Sequence, residues 1–225
     1  MRFLRKYAGA RMGKTESIRT TPRTPDEPEP TANGSVSKRE RILSAACLLF
    51  SQRDFHTVSV DDVARQADIA KGTLYNYFES KEALYLAIIE TRMEHLISLL
   101  HQRLSERHDP LEDLRRFLIH LYRFMTKYPD FFIVWKKEEG TERLARKSRG
   151  RRMHDELVAM LHTILCRGVE EGVFRPVPRD LLTGLLLGIV DAAVYRTLYL
   201  SLSPQEQEKE SDEIFDFVVH GLKAR

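Results

Sequence analysis

The segment from Ser59 to Glu82, SVDDVARQADIAKGTLYNYFESKE, constrains the fold of this chain more than any other stretch. Val60, Val63, Ala64 and Ala67 recur three or four residues apart, which puts them on one face of a short helix. Ser59 precedes that helix with Asp62 three residues on, a capping box with Asp in place of the commoner Glu. Asp61 and Asp62 also suit the positive end of the helix dipole. Asp68-Ile69-Ala70 leaves length only for a turn. A second helix runs from about Lys71 to Phe78, with Leu74 and Phe78 inward and Lys71, Thr73, Tyr75, Asn76 and Tyr77 on its other faces. Ser80 then caps a further helix.

Two short helices joined by a tight turn form a helix-turn-helix. A helix fits the major groove of DNA, where its donors read base edges while Tyr, Thr and Lys fix the register on phosphates. On periodicity alone, an ordinary helical hairpin with one wet face is an equal reading.

A longer pattern separates the two. It comprises Arg41-Ile42-Leu43, Ala45-Ala46, Leu49-Phe50, Ser59-Val60, Val63-Ala64, Ala67, Lys71-Gly72-Thr73-Leu74-Tyr75, Tyr77-Phe78 and Ser80-Lys81-Glu82. This run resembles the DNA-binding domain of the TetR/AcrR family of bacterial transcriptional regulators. It covers residues 38–85, and its GTLYNYF-x-SKE segment is the specific part. The rest is similar to that family only in being helical, of the right length, and in ending on two long helices. Three positions depart from the family's pattern: Asp68 replaces the turn glycine, Ala70 the serine that opens the recognition helix, and Asp54 the glycine that closes the first helix. Asp tolerates positive φ, so Asp68 is expected in the left-handed region at roughly 1 kcal/mol of strain. Ala70 cannot cap, which leaves the recognition helix to packing or to DNA for its first turn.

The charge is unevenly placed. Residues 1–23 hold seven basic side chains against Glu16; residues 24–36 are acidic through Asp26, Glu27 and Glu29. Residues 37–85 hold seven of each sign, so DNA affinity there depends on where the charges point. Residues 1–36, with four prolines from Pro22 to Pro30, read as a disordered tail. It is either a basic arm for non-specific phosphate contacts, a solvated leader, or a start assigned too far upstream. Cys47 and Cys166 fall within apolar helical stripes and read as small buried hydrophobes. Leu181–Val190, between Asp180 and Asp191, is too short to span a bilayer, and no apolar run near the N-terminus is long enough for a signal peptide. The default is a cytoplasmic protein with no membrane partner. The eight histidines show no metal-ligand spacing, and no nucleophile motif or phosphate-cradling loop is present, so no metal or cofactor is expected and an enzyme is disfavoured.

The fold expected is all-α: a three-helix helix-turn-helix domain over 37–83, then a helical ligand-binding and dimerisation domain over 84–225. Ser37 and Glu40 make a capping box for a first helix to about residue 53. From Ser80 one helix continues to about Glu106 and links the two domains. The next runs from Leu111 to Lys127, followed by a short aromatic helix containing Phe131, Phe132 and Trp135. The basic run from Arg143 to Arg152 is either a second nucleic-acid patch or a solvated helix start. A helix from Met153 closes at Gly172. The segment Leu181–Leu200 is apolar on most faces, with Gly184, Gly188 and Ala192 as a small-residue stripe, and Ser203 and Glu206 cap a last helix that buries Phe215, Val218 and Leu222. A helix apolar nearly all round must be covered on more than one side. These last two helices therefore read as the interface of a homodimer, a four-helix bundle, with packing inside the monomer as the alternative.

The function expected is a ligand-responsive regulator, a repressor that binds a near-palindromic operator in double-stranded DNA as a homodimer. Lys71, Thr73 and Asn76 are candidates for base contacts; Tyr75, Tyr77, Lys81 and Arg39 for phosphates; Gly72 for close backbone approach; and Ser59 completes the set. The resemblance implies a pocket in the second domain whose small hydrophobic effector tilts the shared helix. Phe117, Leu121, Met125, Phe131, Phe132, Trp135, Met160 and Ile164 are candidates for its lining, or for plain core. The rival reading is a DNA-binding dimer that answers to a protein partner or to no effector, with that core filled.

Overall fold

The computed structural model describes residues 37–104, 109–138 and 149–223. The expected tail, 1–36, and most of the basic run 143–152 lie outside them. Among the described residues there are nine α-helices: α1 (Lys38–Gln52), α2 (Val60–Gln66), α3 (Lys71–Tyr75), α4 (Lys81–Arg103), α5 (Pro110–Lys127), α6 (Pro129–Glu138), α7 (Arg149–Glu170), α8 (Arg179–Leu200) and α9 (Pro204–Leu222). Residues Ser37–Arg225 form one compact unit.

The helix starts follow local chemistry. Ser37–Glu40, Ser59–Asp62 and Ser203–Glu206 each close a complete capping box, side chain to backbone in both directions. Asp109 caps α5 by accepting from the N–H groups of Leu111 and Glu112. Those boxes hold the Glu40, Asp62 and Glu206 carboxyls below their usual values, because hydrogen bonds from the cap serines favour the ionised form. Asp68 has φ 54° and Gly172 φ 72°, as the sequence predicts.

At the end of α1, Asp54 is extended rather than in the left-handed region that a closing glycine favours. The carbonyls of Phe50, Ser51 and Arg53 instead accept from the Lys137 ammonium on α6, at 2.8, 2.8 and 3.2 Å. Ser51 Oγ donates to Asp130 Oδ1 on the same helix at 2.6 Å. A distant lysine thus does the work of a C-terminal glycine cap, and burial lowers the pKa of its ammonium.

α4 packs on α1, α5, α6 and α7 and carries buried Leu84, Ile88, Met93, Leu96 and Leu100. Phe50, Phe55 and Tyr85 interlock edge and face where α1 meets α4. Asp113 on α5, buried, pairs with Arg167 on α7. After α7 the chain turns through Gly172, and Phe174 folds back on Gly168, whose carbonyl accepts from the N–H groups of both Val173 and Phe174. Arg175 N–H donates to Leu222 O, which ties this connector to the end of α9.

α8 is, among the described residues, the one helix long and apolar enough to cross a membrane, so the shorter segment expected from the sequence understated it. Leu182, Leu186, Val190 and Val194 are buried, and α8 packs on α5, α7 and α9. Asp191 near its middle pairs with Lys136 on α6 at 2.6 Å.

Candidate nucleic-acid interface

α2 and α3 form the helix-turn-helix. The turn between them is pinned from α1: the Arg41 guanidinium donates to Ala67 O at 2.6 Å and Asp68 O at 3.1 Å, with the Asp68 carboxylate 3.5 Å away. α3 is shorter than expected and ends at Tyr75, with Asn76 and Tyr77 continuing in turn. Its start has no side-chain cap, as Ala70 implies. Packing holds it: Leu74 and Phe78 are buried, and Arg39 on α1 lies over the Phe78 ring at 5.7 Å.

Those anchors turn one face outward. Lys71, Gly72, Tyr75, Asn76 and Tyr77 are exposed, with Tyr75 at 47% and Tyr77 at 44%; Thr73 is half-buried. Nothing lies near the position a Cβ on Gly72 would take, so that backbone is open to a partner. Ser59 is exposed at the cap of α2. Arg39 is exposed beside this face.

Two of the basic candidates are engaged inside the protein. Lys81 donates to Phe55 O at 2.9 Å and Val58 O at 3.1 Å and stands 4.4 Å over the Phe55 ring, so it braces the loop between α1 and α2. Lys71 bonds Asp61 at 2.9 Å, and that pair raises its pKa. No sequence pattern announces either pairing, since the partners are ten or more residues away.

Seven of the eight pocket candidates are buried: Phe117, Leu121, Met125, Phe131, Phe132, Trp135 and Ile164; Met160 is half-buried. They come together among α5, α6 and α7 as packed core. Two hollows lie elsewhere. A groove of about 600 Å³ opens between α8 and α9, and a recess of about 20 Å³ lies among Leu118, Tyr122, Val190 and Phe215. None of the eight lines either one.

The interface candidates divide. Gly184, Gly188 and Ala192 form an exposed stripe on α8. Val218 and Leu222 are buried within the chain, and Phe215 is half-buried beneath Arg115. Exposed apolar side chains beside the stripe include Leu181, Leu185 and Tyr199 on α8 and Phe217 on α9, the last 72% exposed. Within one chain the outer edge of α9 carries Phe217 rather than Val218 or Leu222, because the helix's apolar residues span more than one face. Among the described residues no group of three His, Cys, Asp or Glu side chains could hold a metal. Cys47 is buried, and desolvation pushes its thiol up to about 12.

Comparison with known proteins agrees with this geometry. Residues 42–88 match the family described as bacterial regulatory proteins, tetR family, and residues 110–197 match the tetracyclin repressor-like C-terminal domain. The transcriptional repressor KstR2 of Mycobacterium tuberculosis is 27% identical over 143 residues, 62% of this chain and 70% of that protein. The solved structure of PfmR from Thermus thermophilus, a TetR family transcriptional regulator, has a TM-score of 0.70 at 28% identity, covering 85% of this chain and all of that one. FadR of Bacillus subtilis, solved in complex with stearoyl-CoA, has a TM-score of 0.69 at 20% identity, covering 80% and 97%.

Proposed function

We infer the function from one premise: this chain belongs to the tetR family of bacterial regulatory proteins, and it is a DNA-binding transcriptional regulator. The observation that carries the reading is the outward face of α3, where Leu74 and Phe78 are anchored inside and Tyr75, Asn76 and Tyr77 stand in solvent. We divide the chain into a reading head, residues 37–83, and a regulatory part, residues 84–225. Lys71, Thr73 and Asn76 take groove contacts, with Gly72 allowing close approach. Arg39, Ser59, Tyr75 and Tyr77 take phosphates, and Lys81 holds the head in shape. The dimer face is α8 and the outer edge of α9: Gly184, Gly188 and Ala192 with Leu181, Leu185 and Phe217. Two heads so joined suit successive major grooves about 34–36 Å apart. The compartment is the cytoplasm, where the DNA is.

The regulator is a repressor released by a hydrophobic effector. KstR2 is named a repressor, and FadR was solved with stearoyl-CoA. The site is the apolar core around Phe117, Leu121, Phe131, Phe132 and Trp135. It must open to accept a ligand, and a hundredfold loss of DNA affinity requires about 2.7 kcal/mol of coupling. The packed state of that core favours the second reading, in which DNA binding answers to a protein partner or to no effector.

The test is a gel shift on DNA immediately upstream of the chain's own gene, with competitor DNA and a salt titration, repeated with stearoyl-CoA. A tight shift weakened by Tyr75→Ala supports the reading. Smearing alone, on that DNA and on fragments selected genome-wide, refutes it. A specific shift indifferent to the acyl-CoA favours the second reading.

A further inference from the structure

α3 carries a single charged side chain, Lys71, at its first position. Most other cations of the reading head are committed to the fold. Arg41, Arg53 and Lys81 donate to backbone carbonyls, and Arg65 lies 3.6 Å from Asp62. Lys71 has a different kind of partner. Its ammonium meets the Asp61 carboxylate of α2 at 2.9 Å, across the turn, and the two side chains remain 53% and 56% exposed. Asp61 lies in the first turn of α2, where the helix dipole favours a negative charge. Tyr75, one turn along α3, is the other group that raises the lysine's pKa.

An exposed ion pair adds little to stability. On a face turned toward phosphates, a carboxylate also opposes binding. The pair is explained better by what it does to the lysine. A free lysine swings on a four-carbon stem and serves any phosphate within reach as a point charge. Held by Asp61, the ammonium is fixed at the start of the recognition helix, the end that meets base edges in a helix-turn-helix. Of its three N–H donors one is taken and two remain. In the major groove, guanine offers two acceptors side by side, O6 and N7. Adenine places an amino donor beside its N7, and thymine offers one acceptor, so neither matches.

We propose that Asp61 is a specificity-determining residue of the reading head, positioning Lys71 to read a guanine in each operator half-site. The proposal rests on the reading that α3 enters the major groove. Asp61 is a positioning residue; it touches Lys71 and not the base. Its charge also repels phosphates, which penalises binding to DNA that lacks the guanine. Without that carboxylate Lys71 turns to neighbouring phosphates, so affinity rises more on unrelated DNA than on the operator.

The test is a selection with the full chain from a library of random DNA duplexes, which requires no known operator. The parent enriches a two-fold symmetric sequence in which one position of each half-site favours guanine by roughly fivefold or more. Lys71→Met erases the preference at that position and leaves the others. Asp61→Asn at least halves it there, leaves the others, and narrows the gap in affinity between the selected sequence and unrelated DNA. Both side chains are exposed, so neither substitution disturbs the core. A second measurement leaves Asp61 and Lys71 in place: 7-deazaguanine at the same position, which lacks the N7 acceptor, weakens binding of the parent and not of Lys71→Met. A pair that merely staples α2 to α3 changes the melting temperature and the affinity for every sequence alike. An unchanged guanine preference in Asp61→Asn therefore overturns the proposal. So does a base other than guanine at the position lost in Lys71→Met, or a uniform loss with no position affected, the mark of a phosphate contact. A parent that enriches no sequence overturns the DNA-binding reading and this proposal together.

Discussion

Replacing Gly168 by Ala puts local preference and tertiary packing in opposition. Gly168 lies in the last turn of α7, where helix propensity alone favours Ala by about 1 kcal/mol. The structure reverses that sign. A Cβ at Gly168 would stand 2.0, 2.2 and 2.8 Å from Cδ2, Cε2 and Cγ of Phe174. The ring cannot swing away freely, because Phe174 is 2% exposed and its own N–H is bonded to Gly168 O at 2.8 Å. Either the ring is forced outward, losing roughly 1.5–3 kcal/mol of burial, or the core strains by about 1–3 kcal/mol. Against the propensity gain, Gly168→Ala destabilises by about 0.5–2 kcal/mol, a fall in melting temperature of roughly 1–8 °C for a chain of this size. Thermal circular dichroism at fixed protein concentration measures it, since melting of a dimer depends on concentration. Gly168→Ala in a Phe174→Ala background should be harmless, because the collision is gone. A melting temperature equal to or above the parent's, or equal losses with and without the ring, would refute the argument.

Three further outcomes follow from the geometry. Asp68→Gly raises the melting temperature by relieving roughly 1 kcal/mol of left-handed strain, since the carboxylate is fully exposed and its ion pair contributes little; a lower value by calorimetry counts against it. Asp61→Asn releases Lys71 and takes a negative charge from the DNA-facing side, so the log–log salt slope of binding steepens by about 0.9 and affinity rises; an unchanged slope means that Lys71 does not reach a phosphate. The capping carboxyls have depressed folded pKa values, so their stabilisation is present above the unfolded value near 4.5 and lost as pH falls through the folded one. Ser203→Ala should therefore melt lower than the parent at neutral pH, with the gap closing in acid; a gap independent of pH is the contrary result.

What the sequence revealed here is what short-range chemistry controls. Ser37, Ser59 and Ser203 cap because their partners lie three residues away, and Asp68 adopts positive φ because the turn offers nothing else. The inward Leu74 and Phe78 fixed the face of α3. The unforeseen features all depend on separation. Lys137 reaches α1 across more than 80 residues, and Lys81 reaches Phe55 across 26. Each looks like an ordinary surface lysine until the helices are assembled. α9 shows several apolar faces for the same reason, and only the position of α5 and α8 decides that the one with Val218 and Leu222 is covered within the chain.

Asp191 has a consequence before the fold exists. While the chain is being synthesised, Arg179–Leu200 is a segment of length and hydropathy that membrane-insertion machinery would recognise. One carboxylate near its centre costs roughly 2.5–3.5 kcal/mol on translocation, enough to bias the segment toward water by about a hundredfold. The carboxylate that receives Lys136 in the folded protein would thus also weigh against membrane insertion of the most apolar helix before its neighbours arrive to cover it.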